Sequence, residues 1–211
     1  YELDNYRELL DLDDKYSGYQ KVAANVIAMD GTNWFSSFTI DKGSKEGIKK
    51  GMNVIAGSGL VGIVTDVGPN FAKVRSIIDD SSNVSSMVLT TKDNFNVGGS
   101  LKSMNQDKVL PFTELRDEDD KVKVGDPVVT SYVSDQYQEG ILIGYIASIE
   151  KNANNLTKSG TITPVVDFQH LREVLVITTL KDTGEKELSS QKASDTQTET
   201  QDNTETQKSQ E

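Results

Sequence analysis

The run from Gly57 to Val67, GSGLVGIVTDV, decides between two unrelated folds. Its glycines at 57, 59 and 62 satisfy G-x-G-x-x-G, the pattern of a dinucleotide-binding turn. That chemistry needs a strand, the glycine turn, and then a helix whose N-terminal N–H groups receive the pyrophosphate. Met52–Ala56 reads as the strand, but nothing after Gly62 reads as the helix. Ile63, Val64, Thr65 and Val67 are β-branched, which restricts them in a helix and suits a pleated strand. Gly68-Pro69-Asn70 then turns the chain. Gly57-Ser58-Gly59 therefore reads as a hairpin between two strands, with no helix dipole to hold a phosphate. Asp79 and Asp80 stand near where a ribose-binding acid would sit, but without the helix that spacing loses its meaning. Gly43, Gly47 and Gly51 repeat at the spacing of a membrane-helix dimer motif. Lys45, Glu46, Lys49 and Lys50 lie between them, which excludes an apolar span.

The same alternation of strand and turn continues from Val22 to Leu180, with turns every 8–12 residues or so, the spacing of an all-β chain. Strands are expected at Val22–Met29, Trp34–Asp41, Met52–Ala56, Leu60–Val67, Lys73–Asp79 and Val84–Leu89. Six more are expected at Asn96–Leu101, Lys108–Phe112, Pro127–Thr130, Ile141–Ile149, Gly160–Val165 and Arg172–Leu180. A dozen strands suffice for two small six-stranded β-barrels. No helical period is long enough for a βαβ crossover, so a parallel sheet is not expected. Lys45–Lys50 reads as a loop or a single helical turn. Ile141–Ile149 is apolar enough for a strand buried on both sides or crossing between sheets. Trp34, Phe35, Phe38, Phe71, Phe95, Phe112 and Phe168 are expected in the core or as barrel plugs, because aromatics dominate buried area.

The flanks are of different material. Residues 1–12 read as helix, with Leu3, Tyr6 and Leu10 at the 3-4 spacing of a coiled-coil seam. The run is under two heptads and is marginal alone. One reading makes it an amphipathic helix packed on its own barrel, the other the stump of a longer dimerisation helix. Residues 183–211 are rich in Thr, Gln, Ser and acids, with Leu188 their only large apolar side chain. Such a segment cannot bury enough surface to offset its chain entropy, so a disordered acidic tail is expected. Of the net charge of −11, residues 1–20 and 183–211 carry −4 each, which leaves 21–182 close to neutral. No basic patch suggests nucleic acid, and no polybasic cluster suggests anionic lipid. With no cysteine in 211 residues, disulfides, thiol nucleophiles and thiolate metal sites are excluded together. No apolar run approaches the length of a membrane span or signal peptide. The chain starts at Tyr1 and reads as a piece of a longer protein.

Catalytic chemistry finds few candidates. His170 is the only histidine, with Asp167 three residues before it. A triad would need a separate serine and oxyanion donors. Ser58, between glycines, is the nearest approach, and its flanks do not fit a nucleophile elbow. His170 reads as a solvated or hydrogen-bonded strand residue. The run Asp117-Glu118-Asp119-Asp120 suggests calcium, but Val122 and Val128 stand where an EF-hand loop needs Gly and Glu. A solvated loop is the reading taken. No metal, cofactor or catalytic residue is assigned.

One further reading comes from resemblance. The segment IDKGSKEGIKKGMNVIAGSGLVGIVTDVG (Ile40–Gly68), continuing through AKVRSIIDDSSNVSSMV (Ala72–Val88), resembles the core of the bacterial rod shape-determining MreC family, of a Gram-positive, streptococcus-like kind. VKVGDPVVTS (Val122–Ser131) and EGILIGYIASI (Glu139–Ile149) are similar to that family's second recurring segment, and NYRELLDL (Asn5–Leu12) to the end of its preceding helix. Two departures bear on the 131–140 loop. Tyr132 stands where the family usually has glycine after Thr130-Ser131, and Tyr137-Gln138 stand where a Phe-Pro pair often precedes Gly140.

The resemblance implies two six-stranded barrels in a chymotrypsin-like arrangement, preceded by a short N-terminal helix. The expected domains are a helix at 1–20 ending a coiled coil, a first barrel at 21–81 completed by strands within 160–182, a second barrel at 82–159, and the tail at 183–211. Function is implied as a non-catalytic scaffold that organises peptidoglycan synthesis at the outer face of the membrane. It would be a single-pass membrane protein with this region extracytoplasmic and its anchor upstream. The implied partners are a second copy (homodimer or filament, with Leu3, Tyr6 and Leu10 pairing the helices), penicillin-binding proteins and the membrane protein MreD. Exposed strand edges would serve the self-association. The rival readings are a hydrolase or a glycan-binding module with a cleft between the barrels.

Overall fold

The computed structural model describes residues 15–29, 35–57, 59–117, 119–152 and 156–181. The expected seam at Leu3, Tyr6 and Leu10, together with Trp34, Ser58 and residues 183–211, lies outside them. Six strands come first: β1 (Lys21–Met29), β2 (Ser37–Ile40), β3 (Asn53–Ala56), β4 (Gly59–Val67), β5 (Ala72–Ser76) and β6 (Asn83–Val88). Then follow β7 (Asn94–Gly98), helix α1 (Leu101–Asp107), β8 (Leu110–Leu115), β9 (Pro127–Thr130), β10 (Leu142–Lys151), β11 (Lys158–Pro164) and β12 (Glu173–Ile177). They close into two antiparallel barrels of six strands each, the all-β class expected. The first is ordered β1-β12-β3-β4-β5-β2 and the second β10-β11-β8-β7-β6-β9. β11 pairs Ile162 with Leu110 of β8, so the second barrel runs to Pro164, past the boundary expected at 159. Within 160–182, β12 alone joins the first barrel, between β1 and β3.

Closure narrows one expectation. The closed ladders leave only short overhangs paired on one side, such as Ile149–Lys151 of β10, so self-association through exposed strand edges has little template among the described strands.

Alternation fills each barrel. In β5, Ala72, Val74 and Ser76 are buried while Lys73 is exposed, the period-two pattern of one face inward. β3 is buried along its whole length, because its outer face meets the second barrel. Phe95 and Phe112 meet edge to face inside the second barrel, with ring centroids 5.0 Å apart. Phe38 and Phe168 are buried as expected. Phe71 is not: it is 43% exposed. The Gly68 N–H donates to its carbonyl at 2.8 Å, and the ring folds across that turn instead of into the barrel.

The glycine-rich opening is a hairpin. Ala56 pairs with Gly59, which closes β3 and β4 into a hairpin, with Gly57 at φ 61°. Gly43 backs onto the Gly68 carbonyl so closely that a Cβ would lie 2.3 Å from it. The 3-10 turn Ser44–Glu46 then docks on the Gly68-Pro69 turn through two backbone hydrogen bonds. Helix α1 was not expected. Ser100 caps it through the Ser103 N–H at 3.2 Å, and Asp80 Oδ1 accepts the Leu101 N–H at 2.9 Å. Both caps use side chains whose helical role is invisible without the fold.

Candidate functional site: the inter-barrel seam and an outward apolar row

Asn53 on β3 holds the seam. Its side chain donates to the Gln136 carbonyl at 3.0 Å and accepts the Gln138 N–H at 2.7 Å. The Gln138 amide in turn donates to the Thr179 carbonyl at 2.9 Å, just beyond β12. A proline at 138 would have no N–H for Asn53, so the backbone of Gln138 supplies a bond between the barrels. On the other side, the Leu142 N–H donates to Tyr16 Oη at 3.0 Å and Tyr19 Oη donates to the Glu139 carbonyl at 3.1 Å. Lys181 Nζ donates to the Tyr132 carbonyl at 3.3 Å. The loop 131–142 is thus tied both to the segment leading into β1 and to the segment leaving β12. Tyr137 is packed inside this loop, where burial pushes its hydroxyl up to about 12 against the pull of nearby Arg75.

Asn53→Ala is expected to leave the buried Gln138 N–H and Gln136 carbonyl unpaired. The cost should be about 2–3 kcal/mol in urea unfolding, since a buried polar group stripped of its partner loses its full desolvation penalty. A loss below about 0.5 kcal/mol would show that water replaces the side chain and that the seam does not depend on it.

The second barrel carries an apolar row on its outer face. Val88 pairs with Val128, both inside, so Leu89 and Pro127 lie opposite each other and outside. Tyr145 on β10 pairs with Pro127 and continues the row across a third strand. Leu89 is 42% exposed and Tyr145 45%. One step along the same face, Met87, Val129 and Leu142 form a buried cluster with Val165 packed on it. There the first barrel closes over it: a Cβ on Gly59 would lie 2.4 Å from the Leu142 carbonyl oxygen and 2.5 Å from Val165 Cγ2. The row is one apolar surface, covered at one end by the first barrel and open at the other. Register alone reveals it, because Leu89 and Tyr145 read in the sequence simply as strand residues.

The candidate chemical residues serve structure or stand in solvent. His170 Nδ1 lies 2.6 Å from Asp167 Oδ2, with both side chains mostly exposed, on the loop before β12 and not on a strand. Burial would raise the Asp167 pKa, but hydrogen bonds from His170 and the Gln169 N–H hold it below the usual carboxylate range. Asp79 accepts from Ser81, and Asp80 caps α1. Among the described residues no group of three His, Asp or Glu side chains is placed to hold a metal ion.

In the acidic run, Asp119 and Asp120 are exposed, as a solvated loop would have them, and Asp117 departs from that expectation. Asp117 is buried, with Lys158 Nζ of β11 at 2.6 Å, and it accepts the Lys121 and Val122 N–H groups. Asp120 lies 2.5 Å from the same nitrogen, and Asp119 pairs with Lys121. Lys151 also pairs with Asp120 at 3.0 Å, so two of the three lysines that meet Asp117, Asp119 and Asp120 are distant in sequence.

Tandem closed barrels sharing one apolar core, with an outward apolar row on the second, define a tandem β-barrel protein. A family model described as rod shape-determining protein MreC, barrel core, matches residues 26–178. The cell shape-determining protein MreC of Listeria monocytogenes is 34% identical over 173 residues, which are 81% of this chain and 58% of that protein. The chain belongs to the MreC family. A solved MreC structure from Listeria monocytogenes superposes with a TM-score of 0.69 at 32% identity, covering 86% of this chain and 90% of that one. The MreC chain in a complex between penicillin-binding protein PBP2 and MreC from Helicobacter pylori has the same fold. Its TM-score is 0.56 at 12% identity, covering 76% of this chain and 100% of that one. The chain spans less than two thirds of the length of the Listeria relative. No helix among the described residues is long and apolar enough to cross a membrane.

Proposed function

We propose that this chain is the extracytoplasmic part of a single-pass membrane scaffold that organises peptidoglycan synthesis and is not itself an enzyme. The observation that carries the reading is the open apolar row Leu89–Pro127–Tyr145 on a barrel of this family. Exposed apolar surface that continues a buried interface is suited to a protein partner. A penicillin-binding protein is the partner proposed for it, in keeping with the PBP2 complex of the Helicobacter pylori relative. MreD is the proposed membrane partner, and an anchor upstream of Tyr1 is part of the same reading. Self-association is assigned to the helix, with Leu3, Tyr6 and Leu10 at the pairing seam.

Two measurements test it. Leu89→Glu with Tyr145→Glu should weaken binding to the cognate penicillin-binding protein about 100-fold or more by surface plasmon resonance, because charge in an apolar contact is costly. Unchanged affinity would remove the row from the interface. Leu3, Tyr6 and Leu10 replaced together by Ala, in a chain extended through the upstream helix, should sediment as a monomer. Persistent dimers would sink helix pairing.

A further inference from the structure

A hollow of about 440 Å³ lies against strands β6, β7 and β8 of the second barrel, with Val133 of the 131–142 loop forming part of its wall. Its size is within the range of about 300–1,000 Å³ typical of small-ligand sites. It is lined by Ser85 of β6, Asn94 and Asn96 of β7, and Glu114 and Arg116 at the end of β8, over Phe95. Ser85 pairs with Asn96 across β6 and β7, so hydroxyl and amide point to the same side. Asn94 Oδ1 accepts from Ser131, which fixes that amide and leaves its NH2 directed elsewhere.

Two features separate this hollow from an ordinary wet sheet face. First, a carboxylate, Glu114, and a guanidinium, Arg116, line it together, so it presents both charges to one ligand. Second, the backbone is distorted to place them. Leu115 pairs with Lys158 and Phe112 with Gly160, so Thr113 and Glu114 together oppose Ser159 in a bulge. Glu114 takes φ 64° there, a conformation that favours glycine. Strain held by a non-glycine residue at a concave site is a mark of function.

The geometry points to a binding site for a short peptide that carries both a free ammonium and a free carboxylate. Arg116 would take the carboxylate through its two-pronged donor, and Glu114 the ammonium. Asn94, Asn96 and Ser85 supply donors and acceptors for the amides between. This site goes beyond the scaffold reading and does not depend on it.

The test is titration of the isotopically labelled chain with trialanine, followed by amide and arginine side-chain NMR signals. Saturable shifts are expected at Ser85, Asn94, Asn96 and Arg116. Arg116→Gln should weaken trialanine binding about tenfold, as the loss of one charged hydrogen-bonded contact does. It should have no effect on trialanine amide, which lacks the carboxylate. Glu114→Gln should weaken trialanine similarly and spare N-acetyl-trialanine. Glu114→Gly should raise the melting temperature while abolishing the preference for a free amine, which separates binding from folding. No saturable shift at these residues up to about 10 mM, the weakest binding worth naming, would overturn the site. So would equal binding of the capped peptides, or saturation by an N-acetylhexosamine oligomer and not by peptide. A fall in melting temperature for Glu114→Gly would overturn the strain argument.

Discussion

Lys158→Ala is expected to cost about 3–5 kcal/mol, the range found when one partner of a buried ion pair is removed. The side chains of Lys158 and Asp117 are 9% and 2% exposed, so the carboxylate left behind could not recover its charge partner from water. Its two backbone donors, from Lys121 and Val122, remain and moderate the loss. The loop from Asp117 to Val122 should detach from β11 and become the first site of proteolysis. A loss under about 1 kcal/mol would mean the pair is worth no more than a surface bridge.

The same pair sets a pH signature. Burial alone would raise the Asp117 pKa, but the Lys158 ammonium and the two N–H donors hold it below the ordinary carboxylate value. Its contribution is therefore complete above about pH 4, the unfolded value, and is lost as pH falls through the lower folded one. Burial would lower the Lys158 pKa, but Asp117 and Asp120 raise it overall. That contribution is complete below about pH 10.4 and is lost as pH rises through the folded value. The stability gap between the protein and Lys158→Ala should be flat from about pH 5 to 9 and narrow below pH 4, as read by urea midpoints. A gap that changes across neutrality would point to a different group.

The second large effect is at Gly59. A Cβ there would meet the Leu142 carbonyl oxygen at 2.4 Å and Val165 Cγ2 at 2.5 Å, one of them backbone of the other barrel. Gly59→Ala is expected to cost about 3 kcal/mol, the upper part of the usual overpacking range, and to part the barrels along the seam. Hydrogen exchange of the Leu142 amide, bonded to Tyr16 in the native seam, should accelerate. Gly57→Ala is the control. It strains a left-handed turn at about 1–2 kcal/mol but meets no atom within 4 Å, so Leu142 exchange should stay slow. Equal acceleration in both variants would mean that general destabilisation, not the seam, is being read.

Much of this fold is legible in the sequence because its signals are local. β-branched runs mark the strands, and punctuation such as Gly68-Pro69 and Gly125-Asp126 marks connections between them. Non-local facts are not legible in that way. Asp117 reads as one acid in a solvated run because its partner stands 41 residues away. Seven residues of α1 are too few for a helical period to show. Phe71 follows the composition of a core aromatic, and only the bend at Gly68 turns it outward. The same holds for the candidate surfaces. Leu89, Pro127 and Tyr145 become a row only when register places three strands side by side, and Glu114 becomes unusual only when the bulge fixes its backbone. Gln138 is visible in the sequence, but the N–H it gives Asn53 needed the seam.

The placement of β12 between β1 and β3 also dictates an order of assembly. Strands β6 to β11 are contiguous from Asn83 to Pro164, so the second barrel can close as soon as that stretch has been made. The first barrel holds five strands made earlier, yet it remains an open sheet with β1 and β3 at its edges until Glu173–Ile177 arrives. In synthesis from the N-terminus, the part made first is finished last. A chain cut short before residue 173 would leave two unpaired ladders beside a completed neighbour, the condition in which β proteins aggregate.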